Sequence, residues 1–453
     1  MEIIKNEYYT MTIDDIGDGG EGIGKINGYT MFVKDALIGD EIKVKVIKTK
    51  KNYGFGKLEE IITPSPYRTE APCPIAEKCG GCQIQHFDYK RQLQFKEEKV
   101  KNVLERIGGL KDIKVNEVMG MEDPYYYRNK AQFPVGKDKD GNIKIGYYAA
   151  RSHNIIETEK CYIGDPINEV IIQKVKEYIV ENNISVYNEE KHEGLIRHIL
   201  TRVGYHTKEL MVCLVINERK LPKQDALIKK LETIPNIKSI CVNTNLEKTN
   251  VILGKKTKTI WGQDYITDKI GDVSYKISPV SFYQINPTQT EKLYNTALEY
   301  AGLTGEETVW DIYCGIGTIT LFLAQKAKKV YGVEIAEQAI RDALSNAELN
   351  EIENVEFYVG KAEEVLPSLY EEQNIKADVI VVDPPRKGCD EELLDTIVKM
   401  APKKVVYVSC DPATLARDLK YFGENGYTVS QVQPVDMFPH TLHVETCILI
   451  EKK

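Results

Sequence analysis

Cys410 is the residue of this sequence whose position best suits covalent chemistry. It lies in a Ser-Cys-Asp-Pro turn that follows the apolar run Val405–Val408, and a helical pattern begins directly after the turn. Open α/β sheets place their reactive groups at the carboxyl ends of strands, and a helix N-terminus stabilises a thiolate. An isolated cysteine is more often a buried structural residue, so the other motifs must decide between the two interpretations.

A second group of residues has the pattern of a nucleotide site. An apolar run ends at Asp311, and Gly315 and Gly317 follow in a loop before a predicted helix. Glycines let a ligand approach the backbone, and a helix N-terminus offers N–H donors. Glu334 ends the next apolar run, where a carboxylate can accept both ribose hydroxyls. Position 320 is Thr where a dinucleotide fingerprint would have its last glycine, which argues against NAD. The pattern resembles the S-adenosylmethionine (SAM) site of class I methyltransferases.

Asp383 begins a third motif, Asp-Pro-Pro-Arg-Lys-Gly, after the fourth predicted strand. This motif resembles the one that many SAM methyltransferases place beside the point of methyl transfer. Enzymes that methylate exocyclic amines usually have an aromatic residue next, but here Arg386 follows, which favours a carbon target. Methylation of uracil carbon 5 needs a thiolate that adds to carbon 6 and a base that removes the carbon-5 proton. Cys410 follows the fifth strand, and Glu445 lies on the last apolar strand, from which it can reach the same sheet edge.

Four further cysteines have the spacing of a metal site. Cys73, Cys79 and Cys82 form a Cys-x5-Cys-x2-Cys run, and Cys161 lies far downstream. The N-terminus has no signal-peptide core, so ten cysteines point to metal binding or catalysis rather than to disulfides. Four thiolates suit either zinc or a [4Fe–4S] cluster, and structural zinc sites more often have two close pairs.

The pattern along the chain predicts five segments. They are a small β-barrel at 1–60, a cysteine-rich segment at 61–92, an amphipathic helix within 93–118, an antiparallel α+β domain at 119–270 and an α/β domain at 271–453. In the last segment, short apolar strands alternate with helical stretches, which predicts a doubly wound parallel sheet. Those strands are predicted at 307–312, 330–334, 355–359, 378–383 and 404–409.

The net charge of the chain does not indicate a polyanionic partner, but the charge of one segment does. The net charge is −8, but the stretch 42–58 has six lysines and no acidic residue, with Tyr53 and Phe55 between them. Such a strip can bind a phosphate backbone even on an acidic protein. No run of 18 apolar residues occurs, so we expect no membrane span and a cytoplasmic location.

Five motifs in this order resemble the RNA uracil-5 methyltransferases, specifically their 23S ribosomal RNA branch. Along the chain they are S-F-Y-Q-I-N, D-I-Y-C-G-I-G, D-P-P-R-K-G, S-C-D-P-A-T-L-A-R-D and H-V-E-T. The resemblance covers nearly the whole chain, and it implies Cys410 as the nucleophile and Glu445 as the general base. The glycine loop and the resemblance together predict SAM contacts from Gln284, Tyr313, Gly315, Gly317, Glu334 and Asp383.

The same resemblance extends to the N-terminal half. The barrel resembles the RNA-binding TRAM domain, and the cysteine spacing is similar to that of iron–sulfur members, which favours [4Fe–4S] over zinc at Cys73, Cys79, Cys82 and Cys161. The transfer RNA branch commonly lacks both features, so the expected substrate is 23S ribosomal RNA, with transfer RNA as the alternative. A hypothesis of another class is a non-catalytic RNA-binding iron–sulfur protein. No obligate protein partner is implied.

Overall fold

The first five strands close into a barrel, and buried apolar residues alternate with polar ones most clearly along the strands Tyr8–Ile16 and Glu41–Thr49. The structure is a computed structural model, which describes residues 3–158, 160–373 and 375–453. The barrel has the order β1-β2-β3-β5-β4, and its interior holds residues such as Met31, Val33 and Val44. The predicted barrel is confirmed. The strands are β1 (Tyr8–Ile16), β2 (Gly22–Ile26), β3 (Tyr29–Val33), β4 (Glu41–Thr49) and β5 (Tyr53–Thr63).

Residues 64–88, which include the three clustered cysteines, form turns and bends without a helix or a named strand. The first helix, α1, follows at Tyr89–Arg106. Its residues Val100 and Leu104 are fully buried, and the helix ends just before Gly108. The predicted amphipathic helix with a glycine stop is therefore confirmed.

The central part of the chain forms a seven-stranded mixed sheet in the order β12-β11-β10-β9-β6-β7-β8. From β12 to β7, β10 and β11 pair in parallel, and the other described ladders are antiparallel. The helices α2 and α3 contact each other, and both contribute to the core of this sheet. Its elements are β6 (Lys130–Lys137), β7 (Ile143–Tyr148), β8 (Ile155–Glu157), α2 (Ile167–Glu181), β9 (Ile196–Val203), β10 (Leu210–Ile216), α3 (Gln224–Leu231), β11 (Ile237–Thr244) and β12 (Lys256–Gly262).

The C-terminal part alternates strands and helices, as predicted. A hairpin of β13 and β14 precedes a seven-stranded sheet in the order β17-β16-β15-β18-β19-β21-β20. The ladders from β17 to β19 are parallel, and β21 is antiparallel to both its neighbours. The elements are β13 (Ile266–Ile270), β14 (Val273–Ile277), α4 (Pro287–Ala301), β15 (Thr308–Ile312), α5 (Thr318–Ala324), β16 (Lys329–Glu334), α6 (Glu337–Leu349), β17 (Val355–Val359), α7 (Ala362–Gln373), β18 (Val379–Val382), α8 (Glu391–Met400), β19 (Lys404–Ser409), α9 (Pro412–Glu424), β20 (Tyr427–Val435) and β21 (Glu445–Lys452).

The chain divides into two compact units. One comprises Met1–Lys96, Tyr148–Asn154 and Phe438–Leu442, and the other comprises the remaining segments. The five-segment division stays a prediction, since compactness groups the barrel with the cysteine segment and the central sheet with the C-terminal sheet. No helix within the described residues has the length and apolar character needed to cross a membrane.

Candidate active site

The glycine loop lies where the strand order of the C-terminal sheet reverses. Strands β16 and β17 lie on one side of β15, and β18 lies on its other side. This reversal of the strand order leaves a crevice beyond the carboxyl ends of β15 and β18. In this loop Tyr313, Gly315 and Gly317 have φ values of +69°, +55° and +81°. A Cβ atom at Gly315 would meet nothing within 4 Å, whereas one at Gly317 would lie 3.3 Å from Phe357. The loop therefore leaves an open cradle at Gly315.

Two carboxyl groups line this loop. Glu334 accepts hydrogen bonds from the backbone N–H groups of Gly315 at 3.3 Å and Ala336 at 2.9 Å. Asp311 is fully buried; its Oδ2 accepts from the hydroxyl of Thr320 at 2.5 Å, and its Oδ1 has no hydrogen-bond partner within the described residues. Burial raises the pKa of Asp311 to about 7. An orphaned buried acceptor, an open cradle and a carboxylate placed for ribose hydroxyls together fit the polar groups of SAM.

The Asp-Pro-Pro loop after β18 is hydrogen-bonded to helix α9. Asp418 is fully buried, and its carboxylate accepts from the backbone N–H of Cys389 at 2.9 Å and from the hydroxyl of Tyr407 at 2.7 Å. The guanidinium of Arg417 donates to the carbonyls of Lys387 and Cys389, both at 3.1 Å. Since α9 begins just beyond the end of β19, these contacts join the loops that follow two neighbouring strands.

Cys410 follows β19 directly and is half-buried, whereas Cys314, Cys389 and Cys447 are buried. Burial raises the pKa of the Cys410 thiol to about 11, and the nearby carboxyl groups of Glu445 and Asp383 add to this effect. This direction is opposite to the stabilised thiolate that the sequence predicts from the helix N-terminus.

A carboxylate at the N-terminus of α9 adds to the raised pKa of Cys410. Asp411 caps this helix, and its Oδ1 accepts from the backbone N–H groups of Ala413 at 2.9 Å and Thr414 at 3.2 Å. The first donors of the helix are therefore directed to a carboxylate of the same turn. The helix dipole acts on Cys410 only together with this opposing negative charge.

Glu445 reaches the same sheet edge because β21 runs antiparallel to β19. Thr446 pairs with Ser409, so the first residue of β21 lies beside the end of β19 that leads into Cys410. The side chain of Glu445 is buried, and burial raises the pKa of its carboxyl group to about 8, with a further contribution from Asp383.

Arg386 is a member of this group that sequence analysis did not assign to the site. Its guanidinium lowers the pKa of both Cys410 and Glu445 and so opposes the effect of burial. Asp383, whose own pKa burial raises to about 7, acts on both in the opposite direction. The structure thus brings Cys410, Asp383, Arg386 and Glu445 within electrostatic range. The position of Arg386 directly after Asp-Pro-Pro was the available sequence signal.

The loop that carries Gln284 is held by the central sheet. Asn129 donates from its side chain to the carbonyl of Gln284 at 2.9 Å and from its backbone to that of Ile285 at 3.0 Å. The buried guanidinium of Arg202 donates to the carbonyls of Pro279 and Ser281. Gln284 itself is buried. No sequence motif indicated that Arg202 supports this loop.

Comparison with known proteins assigns the family. Residues 88–453 match the family described as tRNA (Uracil-5-)-methyltransferase, and residues 5–58 match the TRAM domain. The chain belongs to this methyltransferase family. It is a SAM-dependent enzyme that acts on RNA, so the hypothesis of a non-catalytic binding protein is not supported.

Relatives of the methyltransferase match over its whole length. A protein of Clostridium tetani named an uncharacterized RNA methyltransferase is 55% identical over 447 residues, which is 98% of this chain and 96% of that protein. A Bacillus cereus protein with the same name is 52% identical over 449 residues, 99% of this chain and 97% of that protein. Among solved structures, the Pyrococcus abyssi tRNA (uracil-54, C5)-methyltransferase in complex with S-adenosyl-L-homocysteine has a TM-score of 0.78 at 30% identity, covering 98% of this chain and 100% of that one.

The cysteine segment of the methyltransferase presents amide donors to sulfur. The backbone N–H of Gly81 donates to Sγ of Cys79 at 3.4 Å, and the side chain of Gln85 donates to Sγ of Cys82 at 3.7 Å and accepts from the backbone N–H of Cys73 at 3.0 Å. Cys73, Cys79 and Cys82 are half-buried in the first compact unit, and Cys161 is half-buried in the second. Within the described residues, no group of three or more His, Cys, Asp or Glu side chains is arranged to hold a metal ion.

Proposed function

We propose that this enzyme methylates carbon 5 of a uridine in 23S ribosomal RNA, with Cys410 as the nucleophile and Glu445 as the general base. The observation that carries the proposal is the convergence of Cys410, Asp383, Arg386 and Glu445 beside the crevice. Of the cysteines at this end of the sheet, Cys410 is half-buried and the others are buried, as a thiol that must reach a base requires.

The proposed reaction has three steps on the uracil ring. Cys410 loses its proton to solvent and its sulfur adds to carbon 6, which moves electrons to carbon 5 and the carbonyl oxygen as an enolate. SAM, when bound, would supply the electrophilic methyl group, and S-adenosylhomocysteine would leave as carbon 5 takes that group. Glu445 then removes the proton from carbon 5, the carbon–sulfur bond breaks, and the double bond returns. Arg386 favours the ionised forms of Cys410 and Glu445 that addition and proton removal require.

The target base must leave its stack to reach the thiol and the methyl group at once. We propose that the loop of Gln284 contacts SAM together with Tyr313, Gly315, Gly317, Glu334 and Asp383. This loop is fixed by Asn129, which directly precedes β6, and by Arg202 of β9. Residues of the central sheet and directly before it therefore position the loop of Gln284.

Transfer RNA is the second candidate substrate, and one specific observation favours it. The solved Pyrococcus abyssi enzyme is named for uridine 54 of transfer RNA, and this chain covers its full length. An N-terminal barrel therefore does not separate the two substrate classes. The cysteine spacing, which is similar to that of iron–sulfur members of the ribosomal branch, is the remaining support for 23S ribosomal RNA.

We expect the purified enzyme to transfer labelled methyl groups from SAM to unmodified 23S ribosomal RNA and to leave unmodified transfer RNA unlabelled. Nucleoside mass spectrometry should identify the product as 5-methyluridine, and fragment mapping should locate it. Label in transfer RNA alone would mean that transfer RNA, and not 23S ribosomal RNA, is the substrate. Absence of label in both RNAs, with SAM binding intact, would contradict the proposed function.

We also propose that Cys73, Cys79, Cys82 and Cys161 hold a [4Fe–4S] cluster. Four thiolates are the usual ligands of such a cluster, and N–H donors to sulfur, such as those on Cys79 and Cys82, tune it. The described side chains show no assembled metal site. The support is the identity of the donors and their spacing.

Anaerobically purified enzyme should be brown and contain about four iron atoms and matching labile sulfide. Cys79→Ser should lose most of the iron and retain SAM binding, because Cys79 lies in a separate segment from the SAM loop. Cys410→Ser is the matched control, since Cys410 is also half-buried, and it should keep its iron. A colourless protein with one zinc ion, or equal iron in wild type and Cys79→Ser, would contradict the cluster.

A further inference from the structure

The barrel has large rings on its outer face where strand residues usually are polar. Along β5, Gly54 and Gly56 point inward and are buried, while Tyr53 and Phe55 point outward. On the neighbouring strand β3, Met31 is buried and Phe32 is on the outer face. Phe32 pairs with Phe55 in the register of these two strands. Along β5, small residues therefore face the interior and large rings face outward, and the ring of Phe32 on β3 joins them on the outer face.

Packing explains the inward glycines. A Cβ atom at Gly54 would lie 2.8 Å from Sδ of Met31, and one at Gly56 would lie 2.2 Å from a methyl group of Val44. The barrel interior has no room for a side chain at either position. Interior packing gives no corresponding reason for the rings outside.

The three rings of Phe32, Tyr53 and Phe55 form one cluster, which we name the aromatic platform. Each pair of ring centroids is 5.7 Å apart, and Tyr53 meets both other rings edge to face. Tyr53 is 40% exposed, and the two phenylalanines are half-buried. The platform therefore offers π surface to water.

Lysines border the platform on β4 and β5. Lys48 pairs with Phe55 across the two strands, and Lys45 lies directly opposite Lys57. Like charges that face each other across strands are destabilising, so the barrel keeps an unfavourable pair at this place. Lys57 has a salt bridge to Glu59 at 3.0 Å, whereas Lys45 and Lys48 have no ion pair within the described residues. The border thus keeps a net positive charge that suits a phosphate backbone.

We propose that the aromatic platform stacks unpaired bases of the RNA substrate, while Lys45 and Lys48 contact the phosphates beside them. The inference rests on RNA as the substrate of this enzyme and adds a binding surface outside the active site. Aromatic rings beside basic side chains are how proteins bind single strands without reading sequence, because every base has a π face. The two lysines differ in their other contacts: Lys48 pairs with Phe55 of the platform, whereas Lys45, like Lys43, also lies over the ring of Tyr8 at 5.5 Å.

The test measures binding of the full-length protein to a fluorescent oligocytidylate of about 12 nucleotides, which contains no uridine. The combined variant Phe32→Leu, Tyr53→Leu and Phe55→Leu keeps apolar side chains and the net charge but removes the rings. We expect its affinity to fall about 10-fold or more, because base–aromatic stacking is lost. The dependence of affinity on salt should stay the same, since no cation is removed.

Matched variants separate stacking from charge and from folding. Lys45→Ala with Lys48→Ala should weaken binding and flatten its salt dependence. Tyr53→Phe keeps the ring and should bind as wild type does. Ile62→Ala removes another exposed apolar side chain of β5, 46% exposed, and should have no effect. Unchanged thermal midpoints across the variants show that the barrel remains folded.

Three results would overturn the proposal. The first is wild-type affinity of the triple leucine variant for oligocytidylate. The second is a loss of affinity for duplex RNA that equals the loss for oligocytidylate. The third is binding of poly-glutamate by the wild type that the triple leucine variant loses to the same extent. The last result would assign the surface to an acidic polypeptide. Methylation of ribosomal and transfer RNA is measured on the same wild-type preparation. If the wild type methylates RNA and the triple leucine variant binds oligocytidylate normally, only the role of the aromatic platform is refuted. If the wild type methylates neither RNA, the proposed function is refuted.

Discussion

Replacement of Cys410 by alanine should abolish methyl transfer. Uracil carbon 5 is too weak a nucleophile to attack a methyl sulfonium until a sulfur atom has added to carbon 6. Loss of a covalent nucleophile typically lowers turnover by about 10⁴-fold or more, because the remaining binding contacts cannot replace the bond. SAM affinity should change little, since the glycine loop and Glu334 lie on β15 and β16 rather than after β19.

The same variant should form no covalent adduct with RNA that contains 5-fluorouridine. In the wild type, fluorine at carbon 5 cannot be abstracted as a proton, so the enzyme should remain attached to the RNA after methyl transfer. A denaturing gel detects the attached species. Cys389→Ser is the control, because Cys389 is buried and its Sγ contacts the hydroxyl of Tyr407 at 3.6 Å. An adduct in Cys410→Ala that disappears in Cys389→Ser would transfer the role of nucleophile to Cys389.

Replacement of Glu445 by glutamine should give the opposite result: an adduct that accumulates on ordinary RNA. Sulfur addition and methyl transfer precede proton removal, so both should still occur. Release should slow by about 10²–10⁴-fold, the usual contribution of a general base. The fold should tolerate the change, because burial already raises the pKa of Glu445 to about 8 and glutamine resembles the neutral acid in shape.

A methyl label from SAM that migrates with the protein on a denaturing gel would demonstrate this stalled species. Glu451→Gln, on the same strand, is the control; Glu451 accepts from the hydroxyl of Ser430 and lies away from the site end of β21. Normal turnover in Glu445→Gln would mean that another group is the base. His443 would then be the next candidate, since His440 is buried and contacts the side chain of Gln92.

The sequence by itself determined the elements of the C-terminal sheet and the ends of its parallel strands. The predicted strands at 355–359 and 404–409 are observed as β17 and β19 with the same bounds, and the other three agree within one residue at each end. Short apolar runs followed by glycine, proline or aspartate are local signals, and they need no knowledge of distant contacts. Because parallel strands share one carboxyl edge, these local signals were enough to place the motifs of Asp311, Asp383 and Cys410 together.

Only the tertiary structure decided what surrounds the proposed nucleophile. The antiparallel insertion of β21 between β19 and β20 sets Thr446 opposite Ser409, and so brings Glu445 to Cys410. The raised pKa of Cys410 depends on burial and on carboxyl groups that are distant in sequence, whereas the local helix N-terminus predicted a shift in the other direction.

The supporting contacts were likewise beyond the sequence. Arg202 reaches the loop of Gln284 across more than seventy positions of the chain, and Phe32 meets Phe55 through a parallel pairing of β3 with β5. Strand pairing and burial are properties of the whole fold, since a strand's neighbours and the dielectric around a charge are set by segments far away in sequence. Local patterns therefore identified the reactive residue types, and the fold decided their charges and partners.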